Sequence, residues 1–365
     1  MKLTSFASLV AGLIAFVAAS LGSVTAIFSE DTSTSVPDVP IAGQLQAPAF
    51  WNAYKARFLT PDGRILDDLN GGISHSEGQG YSLLLAVAAD DRAAFDRILA
   101  WTRANLLLRD DYLAAWRWDP AHKPYVADRN NASDGDLLIA WALVEAADHW
   151  NDVAYRSLAR HMVRAIAEEL LVSTDQGRIV RAGMTGFDAA DRMDGPVVNL
   201  SYWVFPALKR LSKWEGGAAW GEAIKTGVAL IEASRFGPAN LPTDWVSLKT
   251  ATPTPAAGFS PTFGYNALRI PLYLAWAGLG STKILEPFAA AWKSGRPAIV
   301  DVASGRETEV LTSPGYRSLA AFVGCVVTNR RFDDELRQAP VDNYYPSTLR
   351  GLVMIAIHGR YPQCW

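Results

Sequence analysis

The chain has 365 residues, half of them hydrophobic, enough to bury a large core in one domain or two. Its 34 basic and 37 acidic side chains leave a net charge of −3 with no basic block to follow a phosphate backbone, which argues against nucleic acid as a partner. Two cysteines do not make a disulfide scaffold, and five scattered histidines lack metal-ligand spacing, so neither a metal nor another cofactor is indicated.

Read from the N-terminus, Met1-Lys2, the apolar small-residue run 6–21 and then Val24-Thr25-Ala26 have the order of a secretory signal, which places residues 1–26 in a signal peptide. The run is only slightly short of a spanning helix, so an uncleaved inner-membrane anchor is the competing reading. No later segment is long and apolar enough to cross a bilayer, and no stable membrane span is expected after cleavage. Residues 27–48, rich in Ser, Thr, Asp and Pro, read as a flexible leader, and 49–365 as a single folded domain beginning near Phe50.

From Phe50 onward the apolar positions recur mostly at helical spacing, and alternating strand patterns are few and short, so the chain reads as mainly α. Six times a polar, aromatic turn feeds a strongly apolar helix, at Ser76-Glu77-Gly78-Gln79, Ala132-Ser133-Asp134-Gly135, Asn199-Leu200-Ser201-Tyr202-Trp203, Gly264-Tyr265-Asn266-Ala267-Leu268-Arg269, Ser313-Pro314-Gly315-Tyr316-Arg317 and Asn343-Tyr344-Tyr345-Pro346-Ser347. Between most of these lie amphipathic stretches such as 91–107, 152–171 and 214–235. A helix apolar all round belongs inside and an amphipathic one outside, so the pattern predicts six inner and six outer helices closing an (α/α)6 barrel, with the six polar turns at one end. A helical-repeat solenoid is the alternative. The stretch 250–261 is the clearest long loop, and Cys325, in the apolar run 320–327, reads as a buried small hydrophobe.

Two of the six turns carry carboxylates where a Gly-containing segment enters an apolar helix: Glu77 in Ser76-Glu77-Gly78-Gln79-Gly80-Tyr81 and Asp134 in Ala132-Ser133-Asp134-Gly135-Asp136. Such acids also serve as helix caps or first-turn charges that favour the helix dipole. Paired carboxylates beside a groove are equally the minimal equipment for cleaving a glycosidic bond, one as acid and one as base.

The segment 132–150, through Ile139, Ala140, Ala142, Leu143, Val144, Ala146 and Trp150, together with the Glu77 element and Tyr265-Asn266-Ala267-Leu268-Arg269, resembles glycoside hydrolase family 8. The likeness extends over most of the mature chain and is nearest to the periplasmic endoglucanases that accompany bacterial cellulose synthesis. It implies the (α/α)6 barrel, inversion at the anomeric carbon and a β-1,4-glucan substrate, with the cellulose synthase machinery as a possible neighbour. On that resemblance Glu77 is the general acid and Asp134 a second catalytic carboxylate that grips or distorts the sugar. Many members carry an aspartate where this chain has Asn266, an amide that cannot take a proton from water at neutral pH. Asp244 and Asp194 are the candidate replacements as base, with Asn266 positioning the water.

A glucan groove needs flat aromatic platforms for the apolar faces of sugar rings, and Tyr81, Trp116, Trp118, Tyr202, Trp203, Trp245 and Tyr265 lie in or near the six turns, each with core packing as the plain alternative. Arg269 suits a carboxylate or a sugar hydroxyl. The expected activity is that of a periplasmic or secreted endo-β-1,4-glucanase working without cofactor. Chitosan, lichenan and xylan hydrolysis are the alternatives within the enzyme class, and a glycan-binding subunit with decayed catalysis, suggested by Asn266, is the alternative outside it.

Overall fold

The computed structural model describes residues 40–365; the expected signal segment and the leader as far as residue 39 lie outside the described residues. The remainder of that leader is not loose. Ile41 and Leu45 are buried, and the Leu45 N–H donates to the Ala88 carbonyl, so the packed region starts ahead of the expected boundary at residue 49. Two apolar side chains in a Pro-containing segment suffice to dock it, because each removes surface from water without needing a helix of its own.

Twelve α-helices occur among the described residues: α1 (Pro48–Phe58), α2 (Ser76–Ala88), α3 (Arg92–Asn105), α4 (Ser133–His149), α5 (Val153–Ala165), α6 (Phe205–Glu215), α7 (Ala218–Ala233), α8 (Arg269–Trp276), α9 (Thr282–Ala291), α10 (Pro314–Thr328), α11 (Asp334–Gln338) and α12 (Tyr344–Arg360). The even-numbered helices pack in succession, α2 on α4, α4 on α6, α6 on α8, α8 on α10, α10 on α12 and α12 back on α2. That closes the inner ring of an (α/α)6 barrel, and the odd-numbered helices cover it. Burial follows the sequence pattern: α4 is buried on all sides from Ser133 to Ala147, whereas α5 buries only the stripe of Tyr155, Ala159, Met162, Val163 and Ala165. Helix α1 is tied to its inner neighbours on both sides, since the Tyr54 hydroxyl lies 3.1 Å from Ser82 Oγ of α2 and 2.8 Å from Thr348 Oγ1 of α12.

The pair α2 and α4 approach most intimately, for a reason visible in their glycines. A Cβ on Gly80 would stand 2.6 Å from Leu138 Cβ, and one on Gly135 2.1 Å from Ser76 Oγ. These glycines are contact points between two helices rather than turn residues, and their smallness brings the helix starts bearing Glu77 and Asp134 together.

Among the described residues ten short strands join the loops in antiparallel pairs. β1 (Ser74–His75) pairs with β2 (Arg117–Trp118), and β3 (Leu171–Thr174) with β4 (Gly177–Val180). β5 (Val197–Val198), β6 (Val246–Ser247) and β7 (Thr254–Pro255) form one small sheet, and β8 (Thr262–Phe263), β9 (Ala298–Asp301) and β10 (Arg306–Val310) another. The loop 250–261 therefore contributes strand β7 and packs Phe259 on Trp245.

Two further expectations change. The stretch 214–235 is not one helix: Trp214 and Glu215 end α6, Gly216 and Gly217 break the chain with φ of 82° and 99°, and α7 starts at Ala218. Cys325 is buried as expected, yet it is bonded to Cys364 across a separation of 39 residues, with Cα atoms 5.8 Å apart. The packing of α10 on α12 brings the short turn Pro362–Cys364 against α10, a proximity that sequence distance conceals.

Candidate active site

The six inner-helix starts converge on one end of the ring, and Arg269, the first residue of α8, stands at their centre with only 1% of its surface exposed. Its Nη1 donates to Glu77 Oε1 on α2, to Asp134 Oδ2 on α4 at 2.8 Å and to the Tyr81 hydroxyl at 3.1 Å. Its Nη2 donates to Ser201 Oγ, in the turn ahead of α6, at 2.8 Å and to Asn266 Oδ1 at 2.7 Å. The remaining starts contribute Tyr316 of α10 and Tyr345 of α12, whose rings lie 6.3 and 6.4 Å from that of Tyr265, and the Tyr345 hydroxyl donates to the Tyr265 carbonyl at 2.8 Å. Burial would weaken the charge on Arg269, but Glu77 and the surrounding groups outweigh it and hold the guanidinium protonated.

The two motif carboxylates are exposed differently. Asp134 is buried, accepting the Gly135 N–H at 2.9 Å besides the Arg269 contact, while the side chain of Glu77 keeps 19% of its surface open. Burial, then the charge of Glu77, push the Asp134 carboxyl up to about 6 against the pull of Arg269. Asp136, two residues further on, is fully buried and accepts from Ala114 N and Asn131 Nδ2, each at 2.7 Å. Burial raises it to about 7 despite those donors.

Asp244 lies beside Asn266. Its Oδ1 accepts the N–H groups of Gly264 at 3.0 Å and Ala267 at 2.8 Å, capping the entry to α8, and its Oδ2 has only a long contact of 3.5 Å from Asn266 Nδ2. Burial raises its pKa against those N–H donors, so it is a more basic carboxylate than an exposed aspartate. Asp194 is placed otherwise. It pairs with Arg192 at 3.0 Å and accepts the Ala257 N–H at 2.8 Å, which ties two loops together, and these partners outweigh burial to lower its pKa. No hydrogen bond among the described residues joins Asp194 to the Arg269 cluster.

The aromatic candidates divide. Trp203 is fully buried with its indole N–H on the Ala223 carbonyl at 2.9 Å, and Tyr81 is fully buried with its hydroxyl 2.6 Å from that of Tyr273. Neither can present a face to a sugar: Trp203 fills core, and Tyr81 supports Arg269 from below. Trp118 is stacked on Tyr125 at 4.6 Å and carries Arg64 over its ring, while Trp245 stacks on Phe187 and Phe259. Trp116, anchored by its N–H to Asp128 Oδ2 at 2.8 Å, and Tyr202 are half-buried, and Tyr265 is 43% exposed with its hydroxyl on Glu309. Ser201, Tyr316 and Tyr345 were not singled out as site residues, although they occupy three of the six turns that sequence alone picks out. Tyr273 and Asn131 carry no such signal.

A family model described as glycosyl hydrolases family 8 matches residues 23–359. A probable endoglucanase of Novacetimonas hansenii is 35% identical over 84% of this chain and 89% of its own length, and an endoglucanase of Cellulomonas uda is 37% identical over 73% of this chain and 72% of its own. Among solved structures, an endo-β-1,4-glucanase from Acetobacter xylinum superposes with a TM-score of 0.77 at 33% identity, covering 87% of this chain and 99% of that one.

Proposed function

The chain belongs to glycosyl hydrolases family 8, and from that premise we propose that it is an endo-β-1,4-glucanase in which Glu77 is the acid and Asp244 the base. The observation that carries the reading is the reach of Arg269, whose one guanidinium fixes Glu77, Asp134, Ser201 and Asn266 together and so sets the acid against the side of the groove where Asp244 sits. Glu77 offers the oxygen that Arg269 does not hold, and its proton passes to the leaving glycosidic oxygen as the bond to the anomeric carbon breaks. Water enters from the opposite face; its proton goes to Asp244 Oδ2 while the Asn266 amide steadies it. Asp134, buried beneath, sets the charge around Glu77 through the shared Arg269 and contacts the sugar at its margin. Tyr202, Tyr265 and Trp116 supply the sugar-facing rings. A carboxylate held beside Asn266 is what a decayed binding subunit would lack, so the departure at Asn266 counts less against catalysis than it does in the sequence alone.

The substrate is a β-glucan. We further propose a β-1,4-linked cellulosic chain, export to the periplasm or medium, with the Cys325–Cys364 bond in keeping with an oxidising compartment, and work beside the cellulose synthase machinery. Reducing-sugar release from carboxymethyl cellulose, compared with chitosan, lichenan and xylan, tests the activity. Early-time proton NMR on cellopentaose tests inversion: the new ends are expected as α-anomers, and an initial β-anomer would overturn the mechanism.

A further inference from the structure

The residue before α2, His75, holds the turn on which Glu77 sits. Its Nδ1 accepts the Gly78 N–H at 3.0 Å and so caps the helix. Only a ring nitrogen with a free lone pair can accept, so the capping ring is neutral with its proton on Nε2, and Nε2 faces Asp67 Oδ2 at 3.6 Å. Asp67 is itself set in a turn whose carbonyl takes the N–H groups of Asn70 and Gly72. The ring has little room to move. The edge of Tyr344 stands 5.8 Å away between centroids, and a Cβ on Gly78 would come 3.2 Å from His75 Cε1 and 2.7 Å from the Tyr344 hydroxyl. Meanwhile the same Nδ1 lies 3.8 Å from Glu77 Oε2, the oxygen that Arg269 leaves free. One nitrogen therefore faces two alternatives, a backbone N–H of the acid's own helix and the acid's working oxygen.

We propose that His75 is a positioning residue for the acid: neutral, it caps α2 and fixes the first turn that carries Glu77, whereas one added proton occupies the Nδ1 lone pair, releases the Gly78 N–H and leaves that turn uncapped. That added proton comes on top of the one Glu77 carries, so the acid keeps its proton but is no longer held in place for the leaving oxygen. The inference rests on the reading of Glu77 as the acid. The groups facing the ring are Asp67 from the preceding turn, Glu77 from α2 and Asp134 from α4, with the Tyr344 phenol from α12 and Arg269 of α8 beyond Glu77. Burial alone would lower the ring's pKa, but the Asp67 hydrogen bond and the charges of Glu77, Asp67 and Asp134 outweigh it, so the ring gains its proton at a higher pH than an exposed histidine. His75 thus contributes to the acidic limb of the pH–rate profile.

The test is kcat and KM on a soluble cello-oligosaccharide as a function of pH for His75→Ala, His75→Asn and Asp67→Asn. His75→Ala should lower kcat on the order of 10- to 100-fold with little change in KM, because a misplaced acid costs rate rather than binding. Asparagine can accept the same N–H without titrating, so His75→Asn should restore most of kcat and move the acidic limb to lower pH. Asp67→Asn keeps the ring but removes a facing charge, and should move the limb the same way. A limb left in place by both His75→Asn and Asp67→Asn overturns the proposal. So does a His75→Ala variant with wild-type kcat and pH profile and only a lowered Tm, the signature of a plain helix cap. Glu77→Gln separates the two readings: if it is inactive while the limbs stay unmoved, this proposal fails alone, and if it is active the acid assignment fails and takes this one with it.

Discussion

The segment that carries Glu77 and the one that carries Asp244 are built in different ways. Glu77 arrives within a continuous hexapeptide whose Gly80 seats α2 on α4, so motif, helix start and carboxylate are one local unit. On the opposite side the position ahead of Ala267-Leu268-Arg269 holds an amide, and the nearby carboxylate, Asp244, comes from a separate loop and is oriented by N–H groups at the entry to α8. The difference teaches that a carboxylate can be supplied by whichever segment passes within hydrogen-bonding distance of a helix start, whereas a motif carboxylate depends on the helix that carries it.

The comparison breaks first at Glu77. Glu77→Gln should fold with an unchanged melting curve and lose on the order of 10²- to 10⁴-fold in kcat, because the amide keeps the shape and cannot donate the proton; activity within a factor of a few of the wild type would remove Glu77 from the acid role. Asp244→Asn should cost about 10²-fold in kcat while isothermal titration with cellotetraose stays near the wild-type value, since a base acts in the transition state and asparagine can still accept the capping N–H groups. Wild-type turnover in that variant would shift the base side away from Asp244.

Smaller effects sharpen the contrast. Asp134→Asn should reduce kcat on the order of tenfold to a hundredfold, as Arg269 loses one of the two charges it balances next to Glu77, with little loss of stability. Asp194→Asn should change kcat by no more than about threefold, the loop pair with Arg192 being peripheral to the cluster; abolished turnover there would make Asp194 the base instead.

The weakest effect is on stability against pH. Asp134 and Asp136 are held at about 6 and about 7, above the unfolded aspartate value, so the folded state binds their protons more tightly. Their contribution is full below the unfolded value and is lost as pH rises through the folded ones. Tm should therefore fall from pH 5 to pH 8, and Asp136→Asn should flatten that slope; a slope unchanged in the variant would show that Asp136 does not titrate in this range.

How much of this was legible in the chain varies with how local the cause is. The six turn-to-helix entries and the division into inner and outer helices could be read directly, since burial on all sides and burial on one stripe leave different patterns over a single helix. Glu77, Asp134 and Arg269 were legible as motif residues. The hub role of Arg269 was not, because its partners come from α2, α4 and the turn ahead of α6, segments whose proximity exists only once the ring closes. Trp203 and Tyr81 lay in the right turns yet face the core, since a turn that feeds an inner helix must place some of its aromatic residues inward to fill the barrel.

By itself, then, the sequence determined the class of fold, the helix starts that gather at one end and the motif carboxylates among them, because periodicity, glycine placement and a helix-borne motif act over short stretches of chain. Only the tertiary structure decided that Asp244 rather than Asp194 stands beside Asn266, that Cys325 meets Cys364, that Ile41 and Leu45 are buried and that His75 caps α2. Each of these depends on closing the ring, and the free energy of a contact between distant segments is set by the distance and burial that closure imposes, quantities absent from the order of residues.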